Sequence, residues 1–241
     1  MNVAEKIEKK IGRIEEGLTF KYNQLGISKE EYSAATKAIE RLIRKGLIKR
    51  VSNGVFYKPK KSRFGELKPR EEELLKPYLF EGNKRVGYIT GNSLYNRMGL
   101  TTQVSNTIKI ASRSNRISTK LGKTEVKPIK SYVDITGKNY HLLEILDALK
   151  DFKIIPDLDK KSGVKLIQCK IQRLDPKEKK MLIKYALEYP PRVRAFLGAI
   201  MSINSKEEDI VPLKESLNPL TSYTLGINDN MLPTSSQWFI E

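Results

Sequence analysis

The residues best suited to chemistry are three long cations near position 40. Lys37, Arg41 and Arg44 recur at intervals of three and four residues, so they would share one helix face with the short residues Ser33 and Ala34. Ammonium and guanidinium groups bind phosphate oxygens, and also the O6 and N7 atoms of guanine in the major groove of DNA. The short side chains would let such a helix approach a duplex closely. The spacing therefore predicts a DNA-binding face on which Lys37 and Arg41 are candidate contacts to bases or phosphates.

Residues typical of catalytic or metal sites are scarce. His141 is the sole histidine and Cys169 the sole cysteine, which excludes, within one chain, zinc or iron sites that need three or four nitrogen or sulfur ligands. His141 lies beside the apolar stripe of a leucine-rich segment, so a structural role is favoured over a catalytic one. The chain contains neither a G-x-x-x-x-G-K-[ST] nor a G-x-G-x-x-G motif. We therefore expect no enzyme activity, no metal and no cofactor.

Asp157 and Asp159 are the basis of an alternative. Two carboxylates separated by one residue could bind a divalent ion, as in nucleases and nucleotidyltransferases. A lone D-x-D after a proline is more often a turn. The alternative is an enzyme that acts on nucleic acid and is directed to it by the N-terminal region.

Charge is concentrated in the first half of the chain. The 241 residues carry a net charge of +17, of which residues 1–65 contribute +9, residues 66–130 contribute +7 and residues 131–241 contribute +1. A polyanionic partner of the N-terminal half accounts for this asymmetry. The alternatives are a requirement for solubility or a lysine-rich bias of the source organism.

Three helices are expected to position the cations. The first spans residues 3–14, a short second one spans Phe20 to Leu25, and a turn follows at Gly26 to Ser28. Ser28 and Glu31 form a capping-box pattern, and Gly46 is placed for a left-handed cap. These signals predict a third helix from about 29 to 45. Its expected core face comprises Tyr32, Ala35, Ile39, Leu42 and Ile43.

A hairpin is expected directly after this helix. Asn53-Gly54 separates two β-rich runs, which predicts a type I′ turn and a wing. Helix, short helix, long helix and hairpin together predict a winged helix-turn-helix over residues 1–62. The wing supplies further candidate contacts to phosphates, namely Lys49, Arg50, Asn53 and Lys58, followed by Lys60, Lys61 and Arg63. The alternative is a winged helix that binds another protein.

The remainder predicts a larger mixed α/β domain and hence an α+β protein overall. A basic linker at 63–69 would precede a domain at 70–241 that includes a docked tail with Trp238 and Phe239. Helices are expected at 70–80, 92–98, 140–150, 192–202 and from Asp175 onwards. Strands are expected at 86–90, 107–112, 125–133 and 164–171. A second basic stretch could extend a DNA interface or could be the solvated face of a hairpin; it comprises Arg113, Arg116, Lys120, Lys123, Lys127 and Lys130.

Several segments resemble those of AbiEi-type antitoxins, in the same order along nearly the whole chain. They are SRFGELKP (62–69), GYITGNSLYNRMGLTTQ (87–103), NTIKIA (106–111), LLEILDALKDFKIIPD (142–157) and YPPRVRAFLGAI (189–200). The family comprises the antitoxins of type IV toxin–antitoxin systems of bacteria, which act in abortive infection, a form of phage defence.

The resemblance implies an N-terminal winged helix that represses its own operon by binding promoter repeats in double-stranded DNA. It also implies a C-terminal domain that counters a nucleotidyltransferase-like toxin without forming a stable complex with it. The resemblance assigns the DNA-binding role to residues 28–58 only. In the enzyme alternative, the toxin is a second possible substrate.

The sequence also bears on location. No apolar run approaches the ~18 residues of a membrane span, and the charged N-terminus lacks the apolar stretch of a secretion signal. A single cysteine cannot form an internal disulfide bond. We expect a protein of the cytoplasm.

Overall fold

The computed structural model describes residues 2–63, 65–113, 118–121, 123–203 and 207–241. The chain divides into two compact units. Unit 1 comprises residues 1–85 and 117–125, and unit 2 comprises residues 86–116 and 126–241. Helices and several small antiparallel sheets occur in the described chain, so the predicted α+β class is confirmed.

Unit 1 begins with the predicted amphipathic helix. Helix α1 spans Val3–Gly12, and the Asn2 side chain caps it by accepting a hydrogen bond from the amide of Ala4. Ile7 and Ile11 are buried, four residues apart, where α1 packs against the third predicted helix. That helix, α2, spans Tyr32–Arg44 and therefore begins three residues later than expected.

The expected second helix is wrong at its first two residues, Phe20 and Lys21. Residues Thr19–Lys21 form strand β1, and only Tyr22–Leu25 turn into a short 3₁₀ helix. The alternation of Thr19, Phe20 and Lys21 buries Phe20 on one side, which suits a strand better than a helical turn. Phe20 lies opposite Phe56 of a neighbouring strand, with ring centroids 5.8 Å apart. Pairing with a strand that is distant in the sequence therefore determines the secondary structure of this segment, which is too short to show a helical periodicity.

The wing forms as predicted, with a different turn. Strands β2 (Lys49–Ser52) and β3 (Val55–Tyr57) pair antiparallel, and β1 pairs with the other edge of β3. At the two-residue turn only Gly54 has a positive φ, of 73°. The type I′ turn is therefore wrong, because it requires a positive φ at Asn53 as well.

The expected linker is part of unit 1. It is preceded by strand β4 (Lys60–Ser62) and contains strand β5 (Gly65–Leu67), which pairs with β4. Helix α3 (Glu71–Leu79) and the hairpin strands β6 (Phe80–Glu81) and β7 (Lys84–Arg85) complete the segment. Thr19 ties α3 to β1, because its amide and hydroxyl donate to the Glu73 carboxylate at 3.1 and 2.9 Å. The boundary between the units therefore falls after residue 85, not at 63–69.

A four-stranded sheet follows. It contains β8 (Gly87–Thr90), β9 (Thr107–Ser112), β10 (Thr119–Leu121) and β11 (Thr124–Lys130), in the order β10-β11-β9-β8, with helix α4 (Asn92–Arg97) after β8. The strands expected at 86–90 and 107–112 are thus confirmed, and the one expected at 125–133 forms but ends at Lys130. The tip of this sheet, residues 117–125, is grouped with unit 1.

Helices build the rest of unit 2. They are α5 (Tyr140–Asp151), α6 (Lys160–Gln172), α7 (Pro176–Ala186), α8 (Pro191–Met201) and α9 (Glu207–Glu215). The strand expected at 164–171 is wrong, because this segment lies within α6. Its buried residues Val164, Ile167 and Ile171 recur at intervals of three and four, and Asp159 caps the helix by accepting from the amide of Ser162. The β-branched composition favoured a strand, but the spacing is helical.

The C-terminal segment docks on unit 2 as expected. Trp238 is 2% exposed, and its indole N–H donates to the Ser202 hydroxyl at 2.8 Å. Phe239 is partly buried against the same apolar core. In the described part of the chain, no helix is long and apolar enough to cross a membrane.

Candidate nucleic-acid interface

Helix α2 separates an apolar face from a cationic one. Ala35, Ala38, Ile39 and Leu42 are buried against the core of unit 1, which also contains Ile7 and Ile11 of α1. The opposite face is exposed and comprises Ser33, Ala34, Lys37, Arg41 and Arg44. Within the described part of the chain, the side chains of the three cations have no hydrogen bond or ion pair. The structure thus places all five predicted residues of α2 on one solvent-facing surface.

The capping box at the start of α2 forms, although the helix proper begins later. The Ser28 amide donates to the Glu31 carboxylate at 3.1 Å, and the Glu31 amide donates to the Ser28 hydroxyl at 3.3 Å. Lys6 of α1 also binds the Glu31 carboxylate at 3.0 Å. The Ser28 amide and then Lys6 lower the pKa of Glu31. These bonds hold the turn that precedes α2 against α1.

At the other end, Gly46 closes the helix as predicted. Its φ is 70°, and the amide of Leu47 donates to the carbonyl of Leu42 at 3.0 Å, as in a Schellman motif. This cap ends α2 and directs the chain into β2. The helix and the wing are therefore joined by only a few residues of defined geometry.

The wing cations differ in their availability. Lys58 donates to the carbonyls of Gly12 and Ile14 at 3.2 and 3.1 Å, so its ammonium group fastens β3 to the end of α1. Lys49 forms an ion pair with Glu66 of β5, and this hydrogen bond raises the pKa of Lys49. Both side chains have partners within the protein.

The other wing candidates are exposed. Arg50 lies over the ring of Phe56 with its guanidinium carbon 5.8 Å from the centroid, and Asn53 stands at the turn. Lys60, Lys61 and Arg63 are exposed on and after β4. The exposed cations of α2 and of the wing segment therefore belong to the same compact unit.

The residues of the second basic stretch are divided between the two units. Lys120 and Lys123 are exposed in unit 1, whereas Arg113, Lys127 and Lys130 belong to unit 2. Arg113 donates to the carbonyl of Tyr132 at 2.6 Å and lies 3.4 Å from Asp134. Arg116 lies outside the described residues.

The tip of the sheet brings Lys120 and Lys123 into the unit that contains the wing. Strand β10 lies against the wing strand β2. The Tyr78 hydroxyl lies 2.6 Å from the Ser52 hydroxyl of β2. Burial raises the pKa of Tyr78, while hydrogen bonds with Ser52 and Thr119 oppose that shift. Tyr78 thus connects α3, the wing and β10 in a single hydrogen-bonded group.

Unit 1 also contains a cleft of about 550 Å³ between the end of α1, β1 and the end of α3. It is lined by side chains of both signs, including Lys10, Lys21, Glu73 and Glu81. Burial lowers the pKa of Lys21, and the nearby Glu81 opposes this effect. The lining of this cleft includes no residue of α2 or of the wing.

Comparison with known proteins gives a family for this chain. The model of a family of unknown function, DUF6088, matches residues 6–183. The chain belongs to the DUF6088 family. No curated protein matches it. Among solved structures, this DUF6088 protein is similar to the RV2827C protein from Mycobacterium tuberculosis, with 10% sequence identity and a TM-score of 0.50. The match covers 92% of this chain and 84% of that one, and the likeness is one of fold.

The residues considered for catalysis in this DUF6088 protein have structural partners. Asp159 caps α6, and Asp157 accepts from the Gln103 side chain at 2.6 Å. Hydrogen bonds from Ser162 lower the pKa of Asp159. His141 lies 2.8 Å from the Glu178 carboxylate, and Cys169 is exposed and free. Among the described residues, no three histidine, cysteine or acidic side chains cluster as metal ligands would.

Asp147 is a buried polar centre that the sequence analysis missed. It is 2% exposed, and accepts from Tyr88 and Thr90 at 2.9 and 2.7 Å and from Lys150 at 3.2 Å. The Tyr189 hydroxyl lies 3.3 Å away. Burial, followed by the charge of Asp147, raises the pKa of Tyr88, so this hydroxyl remains a donor. The sequence feature that could have indicated this buried carboxylate is the acidic residue within the apolar run LLEILDAL.

Proposed function

We propose that this protein is a DNA-binding transcriptional regulator. The observation that carries the proposal is the outer face of α2, where Lys37, Arg41 and Arg44 are exposed without protein partners among the described residues. A helix of 13 residues with one cationic side has the shape and charge to enter the major groove, which is about 12 Å wide. The buried opposite face holds it on a winged helix, an architecture in which such a helix contacts base edges.

The exposed residues suggest a division of roles. Ser33 and Ala34 permit close approach, and Lys37 and Arg41 reach bases or phosphates. Arg50 and Asn53 of the wing, with Lys60, Lys61 and Arg63, bind flanking phosphates. Lys120 and Lys123 at the sheet tip extend this set. Lys49 and Lys58 are left out of the principal contacts, because each is engaged within unit 1.

The biological role that we propose is that of an autorepressor and antitoxin in the bacterial cytoplasm. It rests on the resemblance to AbiEi-type antitoxins, with the protein's own promoter as the DNA target. A nucleotidyltransferase-like toxin would be the functional partner. Coexpression with the product of the adjacent gene is the test: growth restored by this protein supports the role, and an adjacent product that never impairs growth contradicts it.

DNA binding is tested by removing the two central cations. We expect Lys37→Ala and Arg41→Ala each to weaken binding to the promoter duplex by ~1–3 kcal/mol if the side chain contacts bases. Equal weakening on a random duplex would assign that side chain to phosphate. Fluorescence anisotropy across a series of salt concentrations gives both affinities and the slope of log K against log[salt].

Lys9→Ala is the matched control. Lys9 is exposed on α1, and it lies about half a turn from the line of Ile7 and Ile11, which face α2. Its loss should leave affinity and slope unchanged. A winged helix that binds only proteins would show no salt-dependent affinity for either duplex, and this result would refute the proposal.

A further inference from the structure

Tyr32 departs from its expected place in the core. Its spacing with Ala35 and Ile39 predicted a buried side chain, but 54% of Tyr32 is exposed. It is the first residue of α2 and lies at the N-terminal end of the helix, where its side chain leaves the axis about 140° from that of Lys37. In helix-turn-helix proteins the residues at the start of the recognition helix are those that contact base edges. More than half of this side chain is therefore open to solvent and available to a ligand.

The ring of Tyr32 is nevertheless held in place. Its centroid lies 5.3 Å from that of Tyr22 in the 3₁₀ helix, and Tyr22 in turn packs edge-on against Phe56 of β3 at 5.2 Å. A side chain at Gly54, at the wing turn, would lie 3.9 Å from the Tyr22 ring. Tyr22 therefore connects the start of α2 to the wing through a row of aromatic contacts.

A fixed and exposed ring is suited to recognition. Tyrosine loses little conformational entropy on binding, because it has two side-chain torsions, and packing on Tyr22 restricts these already. In the major groove the apolar feature that distinguishes one base from the others is the C5-methyl group of thymine.

We propose that Tyr32 is a specificity-determining residue, whose ring contacts the thymine methyl group while Tyr22 positions it. This inference rests on the proposed DNA-binding function. It adds a sequence preference to the cations, whose contacts with phosphates carry none. The contact with the methyl group does not need the Tyr32 hydroxyl, whereas a hydrogen bond to a phosphate would need it. Removing the hydroxyl therefore distinguishes the two contacts.

The test begins with a library of randomised 20-base-pair duplexes. Wild-type protein, Tyr32→Phe and Tyr32→Ala are each used to select bound duplexes, which are then sequenced. Circular dichroism of the three proteins checks that they are equally folded. We expect wild type and Tyr32→Phe to enrich the same thymine-containing motif, and Tyr32→Ala to lose the preference at one or two of its thymines.

A second measurement isolates the methyl group. Replacing those thymines by uracil in the selected duplex should weaken wild-type binding about three- to fivefold, the value for one buried methyl group. The affinity of Tyr32→Ala should not change on the same replacement.

The remaining outcomes overturn the inference in different ways. An unchanged motif with Tyr32→Ala shows that the ring is not read, and a loss with Tyr32→Phe assigns the contact to the hydroxyl. Binding without any sequence preference refutes the specificity role and leaves DNA binding intact. No binding of wild type to any duplex refutes the proposed function itself.

Discussion

Asp147 shows how much a single buried charge determines locally. Its carboxylate lies in the middle of α5 and is 2% exposed. Hydroxyl groups from β8 and from the segment just before α8 converge on it, together with Lys150 one turn along the same helix. A charge buried in this way is tolerated only when hydrogen bonds replace its lost water.

We expect Asp147→Asn to destabilise the protein by on the order of 3 kcal/mol, because it removes the nearer ionic partner of the largely buried Lys150, at 3.2 Å, and leaves Asp151 at 3.8 Å. The midpoint of urea unfolding, followed by circular dichroism, measures the effect. Glu188→Gln is the control, since Glu188 is exposed just after α7. A loss no larger than that of the control would mean that the network contributes little to stability.

Cations that look alike in the sequence differ in their partners. Lys37 and Lys58 are both candidates for phosphate binding by residue type and position. Lys58 donates to two backbone carbonyls at the end of α1, whereas Lys37 is on the solvent-facing side of α2. Residue type supplied the candidates, and packing determined which ones remain available.

At the scale of elements, local signals identified most helices. The capping residues Ser28 and Asp175, and the helical spacing of apolar residues in α1, α2 and α5, gave these helices to within a few residues. The failures occurred at Thr19–Lys21 and within α6. In the first, pairing with β3 outweighs the local preference. In the second, β-branched composition favoured a strand although the buried residues had a helical spacing.

The packing of the C-terminal tail on α8 provides a test at this scale. A Cβ atom at Gly198 would overlap the indole ring of Trp238. We expect Gly198→Ala to destabilise the protein by about 1–3 kcal/mol through overpacking, despite the better helix propensity of alanine. Because Trp238 is the sole tryptophan of the chain, the shift and width of its fluorescence during urea unfolding report this directly.

The matched control is Gly12→Ala, at a helical glycine of α1 where a Cβ would meet nothing within 4 Å. This variant should be neutral or gain up to ~1 kcal/mol. Should Gly198→Ala behave like Gly12→Ala, the tail would not be docked on α8 as described.

At the scale of the whole chain, the division into units does not follow the sequence order. The tip at 117–125 is grouped with unit 1 although residues 86–116, which precede it, belong to unit 2. In unit 1 this brings β10 against the wing strand β2. Two lysines far along the chain thereby join the unit that carries the proposed interface.

We expect the double variant Lys120→Ala/Lys123→Ala to lower the steepness of log K against log[salt] by about 0.9 for each phosphate that the protein no longer neutralises. Sequence preference should stay the same, because side chains that bind phosphates position a protein without reading bases. Titration of a promoter duplex and a random duplex at several salt concentrations measures both quantities. An unchanged slope would assign these lysines to the solvated face of a hairpin.

The sequence by itself determined the α+β class, the order of helices and hairpin in the N-terminal region and the cationic face of α2, because each depends on spacing or capping within a few residues. Tertiary structure alone decided that β1 is a strand, that the segment at 63–69 belongs to unit 1, that Tyr32 is exposed and that Lys58 is engaged. All of these depend on partners distant in the sequence. A local pattern predicts which side of a helix or strand is apolar. Only tertiary packing determines what that side contacts and which polar side chains stay free to bind a ligand.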